Sequence, residues 1–155
     1  MNSEHIALVE QNLGYIFLNK ELLIRALTTK AFALEEKHKK YRKCDDQEVY
    51  CILGDAILKA ILVELLMERG YNSRGTITQK KSELENRVNL GNFLQELGLA
   101  SSIRFGVGEK KQNNDRNPSI LGETLEALIA AVYLDKKSYE ATKDLISDLF
   151  SSQLN

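Results

Sequence analysis

The sequence predicts an all-α domain, and three observations carry that prediction. No stretch shows the sustained period-two alternation of a half-buried strand. The single proline, Pro118, directly follows Asn117, where proline begins a helix rather than breaking one. Two long segments, DDQEVYCILGDAILKAILVELLMERG from 45 to 70 and PSILGETLEALIAAVYLD from 118 to 135, are apolar nearly all round and carry helix-start or helix-stop residues. The 155 residues, 43% of them hydrophobic, suit one globular domain with its own core, so 1–155 is read as a single unit.

Taken in order, His5 to Asn12 forms a first helix. Asn19 caps a second, in which Leu22, Leu23, Ala26 and Leu27 make an apolar stripe. Residues 35–43 are polar and end in KHKKYRK, a basic loop or ragged helix end. The long helix follows, with Asp45 and Glu48 at capping-box spacing and Gly70 as its stop. Between Ala56 and Met67 only Lys59 and Glu64 interrupt the apolar residues, the pattern of a helix buried on every side. Asn72, Ser73 and Gly75 make a turn. Thr76 to Val88 is a mostly solvated helix with the thin apolar line Ile77, Leu84 and Val88, and Leu90 to Leu97 a short one closed by Gly98. Residues 102–117 are irregular, with Gly106 and Gly108 allowing tight backbone. The second long helix runs from Pro118 to Leu134. A last amphipathic helix turns Leu145, Ile146, Leu149 and Phe150 inward.

Composition excludes several classes of function. A net charge of −1 gives no global field toward nucleic acid or membrane, so a polyanion must be held by a local patch or a metal. Two cysteines, Cys44 and Cys51, and two distant histidines, His5 and His38, argue against a disulfide framework and a zinc site. The N-terminus is polar and periodic, unlike a signal peptide, and no apolar run approaches bilayer length. A soluble, cytoplasmic protein with no membrane partner and no small-molecule cofactor is expected.

Two residues of the first long helix are not what stability would choose. Gly54 in a helix interior costs about 1 kcal/mol relative to Ala. Asp55 lies among Ile52, Leu53, Ala56 and Ile57, and a carboxylate there must find a cation, a donor or a proton. At about 100° per residue, Glu48, Cys51 and Asp55 share one side of the helix. In the second long helix Glu123 and Glu126 stand three apart and so adjacent. If the two acidic sides face each other, like charges gather where water is scarce. Protonation or a hard cation, Mg²⁺ above all, must relieve them. The plainer alternative is that Glu48 only caps its helix and Glu123 faces solvent.

These residues carry a resemblance. GDAIL at 54–58 with Glu48 upstream resembles the signature helix of the ribonuclease III family, and SILGETLEALIAAVYLD at 119–135 resembles that family's second acidic motif. GLASSIRFGVGE between them and FLNKELLIRALT near the front are similar to the family in order and spacing. The resemblance implies an all-α endonuclease domain, dimeric through the signature helix. It also implies Mg²⁺-dependent hydrolysis of double-stranded RNA that leaves 5′-phosphates and short 3′ overhangs. Asp55 and Glu126 then match catalytic, metal-binding acids. The resemblance implies that Glu123, which stands where most members have Asp, binds the metal with them, and that Glu48, which matches the first signature Glu, or water replaces the missing ligand.

Two positions depart from the family. Cys51 stands where the family has a second signature Glu, and a thiol is a poor ligand for Mg²⁺. Arg74 occupies a turn where many members carry an acid, and an arginine there repels metal but can bind phosphate. The family's C-terminal double-stranded-RNA-binding domain has no counterpart in these 155 residues. RNA contact is assigned to Lys37, Lys39, Lys40, Arg42 and Lys43, with His38 in the same patch, and to Lys110, Lys111 and Arg116. A merely solvated basic surface is the alternative. Two functions follow. One is a double-stranded-RNA endoribonuclease in RNA processing, with a metal site altered at Cys51 and Mn²⁺ as a substitute for Mg²⁺. The other is a catalytically impaired, dimeric RNA-binding or scaffold protein of the same fold.

Overall fold

The computed structural model describes residues 1–41 and 43–154, with the Lys40 side chain also outside the described set. Most helix starts lie where the side-chain chemistry puts them. Asn2 accepts from the His5 N–H to open α1 (Ser3–Leu13). Asn19 accepts from Glu21 to open α2 (Lys20–Ala26), and Thr29 from Phe32 to open α3 (Lys30–Lys40). Residues 35–40, read as a basic loop or ragged end, are therefore the second half of a regular helix, and Tyr41 ends it in a left-handed conformation.

The first long helix, α4, covers Glu48–Glu68, three residues shorter at its start than its charge pattern suggests. The expected Asp45–Glu48 capping box does not form. Asp46 accepts from the Glu48 N–H at 2.9 Å instead, which leaves the Glu48 carboxylate free to leave the helix end. At the other end Gly70 is left-handed (φ +92°), and the Tyr71 N–H reaches back to the Leu66 carbonyl. Then α5 (Arg74–Glu85) and α6 (Arg87–Glu96) meet at Asn86, which ends one and caps the other. The start of α5 absorbs Gly75, and Val88, expected on an apolar line, is exposed at the start of α6.

The stretch read as irregular contains a short helix, α7 (Val107–Lys111), and one-turn 3₁₀ segments at Ala100–Ser102 and Asn114–Arg116. Neither Gly106 nor Gly108 has positive φ; Gly106 is small because Ala31 and Glu35 of α3 press on it. Asn117 and Pro118 start α8 (Pro118–Lys136) as expected, followed by α9 (Tyr139–Leu149) and α10 (Ser151–Leu154). No strand occurs among the described residues; a single bridge joins Thr28 and Arg104.

The centre of the fold is α8, which packs against α2, α4, α6 and α9 and buries every residue from Gly122 to Val132 except Glu123. The pattern of α4 was read as burial on all sides, and within one chain that is corrected. Leu58, Ile61, Leu62, Leu65 and Leu66 are buried, while Val49, Ile52 and Met67 are 61%, 73% and 60% exposed. With Ala56 and Ala60 they form one apolar stripe along the outer side of α4.

Candidate active site

Gly54 is the hinge between sequence and site. An added Cβ there would stand 1.7 Å from the backbone oxygen of Glu126. The missing side chain lets α4 and α8 touch backbone to backbone, and so brings residue 55 beside residue 126. Gly122 repeats the device one turn earlier, since its Cβ would stand 2.7 Å from the Arg87 carbonyl, which puts Arg87 beside Glu123. The α4 start is pinned by Gln47, whose N–H donates to the Thr28 carbonyl at 2.9 Å and whose side chain accepts from Thr124 at 3.1 Å.

These contacts make an open cleft of about 770 Å³ between α4, α8 and the α5–α6 junction. Glu48, Cys51, Asp55, Glu123 and Glu126 all line it, so the two acidic sides do face each other. Each has a different partner. Glu126 is buried, and burial together with a hydrogen bond to Asp55 and the charge of Asp55 pushes its carboxyl up to about 8. Desolvation works the same way on Asp55, but hydrogen bonds from Lys59 and Glu126 outweigh it and hold Asp55 below its ordinary value. At neutral pH the pair carries one proton, on Glu126. Lys59 Nζ lies 2.9 Å from both Asp55 oxygens.

Glu123 is held by Arg87 at 3.1 Å, and the exposed Glu48 by Lys30 at 3.6 Å. The half-buried Cys51 thiol donates to the Glu123 backbone carbonyl at 3.3 Å. Burial, then the charges of Glu123, Glu126 and Glu48, push that thiol up to about 12. Without a metal it stays neutral and is no nucleophile.

The structure therefore brings together Glu48, Cys51, Asp55, Glu123 and Glu126. It leaves Arg74, exposed at the start of α5, off the cleft, where α5 contributes Ser82 and Glu85 instead. Lys37, Lys39 and Lys43 are exposed, as are Lys110, Lys111 and Arg116. Glu35 accepts from the Val107 N–H at 2.9 Å and so joins the helix bearing the first group to the helix bearing the second. Arg42 and the Lys40 side chain lie outside the described residues.

Among the cleft residues that sequence reasoning missed are Lys59, Arg87 and Glu85. Lys59 had a signal, since it stands four after Asp55. Arg87 and Glu85 had none, because α5 and α6 reach the cleft only through tertiary packing. Glu85 gives one oxygen to Lys81 at 3.0 Å and keeps the other buried with no partner among the described residues.

A Mg²⁺ ion does not fit this donor set as it stands. Among the described residues no three His, Cys, Asp or Glu side chains converge as metal ligands. An ammonium and a guanidinium already hold Asp55 and Glu123, and Cys51 beside them offers a neutral thiol.

Comparison with known proteins places this geometry. A family model described as Ribonuclease-III-like matches residues 19–154. Ribonuclease 3 of Pseudomonas fluorescens is 35% identical over 150 residues, 96% of this chain and 61% of that protein. Ribonuclease 3 of Natranaerobius thermophilus is 34% identical over 148 residues, 95% of this chain and 62% of that protein. The chain thus spans about three fifths of the length of these relatives. The nuclease domain of ribonuclease III from Campylobacter jejuni superposes with a TM-score of 0.84 at 30% identity, covering 96% of this chain and 97% of that one. A region of that domain is described as involved in dimer formation.

Proposed function

The chain belongs to the ribonuclease III-like family, and we propose that residues 1–155 are one endoribonuclease domain acting on double-stranded RNA, in the cytoplasm, with a weakened use of divalent metal. The observation that supports this most is the Asp55–Glu126 pair, which shares one proton at the floor of an open cleft. Hydrolysis of a phosphodiester needs a proton taken from water and one given to the departing 3′ oxygen. Neutral Glu126 is suited to the second transfer, while ionised Asp55, kept a weak base by the bonds that lower its pKa, orients the water whose proton passes to solvent. The family's divalent ion would add charge neutralisation at the phosphate; here Lys59 and Arg87 stand on the acids that would hold it. The duplex backbone is received by the exposed lysines and arginines of α3, α7 and the segments after them, through sequence-blind, salt-sensitive contacts. Among the described residues no helix is long and apolar enough to cross a membrane.

The second reading, an impaired RNA-binding or scaffold domain, is favoured by the ion pairs at Asp55 and Glu123 and by the neutral Cys51. A cleavage assay on long duplex RNA decides between them. The natural protein is expected to cleave slowly in Mg²⁺ and faster in Mn²⁺, which binds the same donors more tightly. Cys51→Glu, which adds a hard oxygen beside Asp55, should raise Mg²⁺-dependent cleavage by about tenfold or more. If neither form cleaves in either metal, the scaffold reading stands.

The exposed stripe Val49, Ile52, Ala56, Ala60 and Met67 is proposed as a homodimer face, because so much contiguous apolar helix surface calls for a cover. The natural protein should sediment as a dimer at micromolar concentration. Ala60→Glu with Met67→Glu should sediment as a monomer of unchanged helicity. A natural protein that sediments as a monomer at that concentration removes the dimer from the proposal.

A further inference from the structure

The cleft contains its own cations. Lys59 Nζ is shared between the two oxygens of Asp55, and Arg87 holds Glu123 from the α6 side. Both cations come from elements that frame the cleft, and both line it. Neither is used up by its partner. The Lys59 side chain is 47% exposed and has three donors, of which two point at Asp55. The Arg87 side chain is 58% exposed and has five; its Nη1 lies 3.1 Å from Glu123 Oε1 and donates to Ser119 Oγ 3.4 Å away. The remaining donors open toward solvent in a cleft wide enough for a phosphate group.

Resting on the reading that this domain acts on duplex RNA, we propose that Lys59 and Arg87 are resident counter-ions of the cleft, which occupy Asp55 and Glu123 in place of a divalent ion and bind a phosphate of the RNA backbone without metal. Two arguments carry this. A tethered ammonium at 2.9 Å is held at an effective concentration that a weakly coordinated ion must compete with, and the cleft offers that ion no convergent set of three ligands. A cation bound to a carboxylate at a half-exposed site gains little from it, so a phosphate can share or replace the pair at small cost. Arginine also recognises phosphate through paired N–H groups, a geometry that remains available on the free edge of Arg87.

The test uses the full chain and the double variant Lys59→Met with Arg87→Met, which keeps the aliphatic stems, with the two single variants as a check on folding. Thermal melting is followed in EDTA and in millimolar Mn²⁺ or Mg²⁺. Binding of a blunt, fluorescein-labelled RNA duplex is followed in EDTA across a salt series. The metals should raise the melting temperature of the natural protein far less than that of the double variant. The double variant should bind the duplex more weakly in EDTA, and the slope of log affinity against log salt should fall by about one, for the one phosphate no longer neutralised. If metal stabilises the natural protein as much as the variant, the carboxylates are not occupied from within and the proposal is overturned. An unchanged salt slope with unchanged affinity overturns its phosphate half. If the natural protein binds no duplex in EDTA or in metal, the substrate assigned under the proposed function fails instead, and the melting arm alone judges the counter-ions.

Discussion

Gly54→Ala is expected to lower the melting temperature by roughly 6–12 °C, the largest effect of any single methyl group in this protein. Alanine would ordinarily favour a helix interior by about 1 kcal/mol. Here its Cβ would lie 1.7 Å from the Glu126 backbone oxygen and 2.4 Å from its carbonyl carbon. No side-chain rotation relieves a clash with backbone, so α4 and α8 must separate along their length. Overpacking costs about 1–3 kcal/mol even where side chains can yield. A net loss of about 3 kcal/mol or more is therefore expected, a large part of the roughly 5–15 kcal/mol that such a domain has. Gly108→Ala is the control: nothing lies within 4 Å of its Cβ, its φ is not positive and it sits in α7, so it should melt within about 2 °C of the natural protein. The two variants melting together would show that α4 and α8 do not meet at Gly54. Cleavage should fall with Gly54→Ala as well, because the same contact aligns Asp55 with Glu126.

Glu126→Gln is expected to stabilise the protein above about pH 8 while abolishing cleavage. The folded carboxyl titrates near 8 against an ordinary 4.5, so between those values the folded chain holds a proton that the unfolded chain has released. Its stabilising contribution is complete below the ordinary value and is lost as pH rises through 8. Asp55 works in the opposite sense. Its pKa is lowered, so its contribution is present above the ordinary carboxylate range and fades only as pH falls through its folded value. The decline from mildly acid to mildly alkaline pH therefore belongs to Glu126. Glutamine keeps the shape and a donor toward Asp55 and cannot ionise. Its melting temperature should match the natural protein near pH 5 and exceed it by about 5 °C near pH 9, roughly 2 kcal/mol after allowance for relaxation and entering water. Parallel melting curves across that range would mean that Glu126 is not held neutral. Gain of stability together with loss of turnover is the signature of a group kept for chemistry rather than for packing.

Most of the helices and the identity of the acids were legible in the sequence, because both are written locally. Caps at Asn19 and Asn117 are single residues with an intrinsic preference for helix starts. The 3.6-residue period places Glu48, Cys51 and Asp55 on one side whatever the helix later touches. Gly54 stood out in the sequence only as unfavourable in a helix; the backbone contact that explains it is tertiary. The errors also have local causes. Asp45 has the spacing of a cap, but the anchoring of Gln47 to Thr28 and Thr124 starts the helix later, with Gln47 at the N-cap and Asp46 accepting from the Glu48 N–H. Composition alone could not tell α4, one face of which stays uncovered in the chain, from α8, which is covered by four helices.

What the sequence by itself determined is an all-α chain with two apolar, acid-bearing helices and a thiol, Cys51, on the acidic side of the first. Tertiary structure alone decided what those acids do. The proton on Glu126 exists because α4 brings Asp55 against a buried carboxyl. The cations on Asp55 and Glu123 exist because a helical turn and the close seat of Gly122 on Arg87 deliver them. Charge state depends on burial and on neighbours from distant parts of the chain, and neither is encoded at the position of the acid itself.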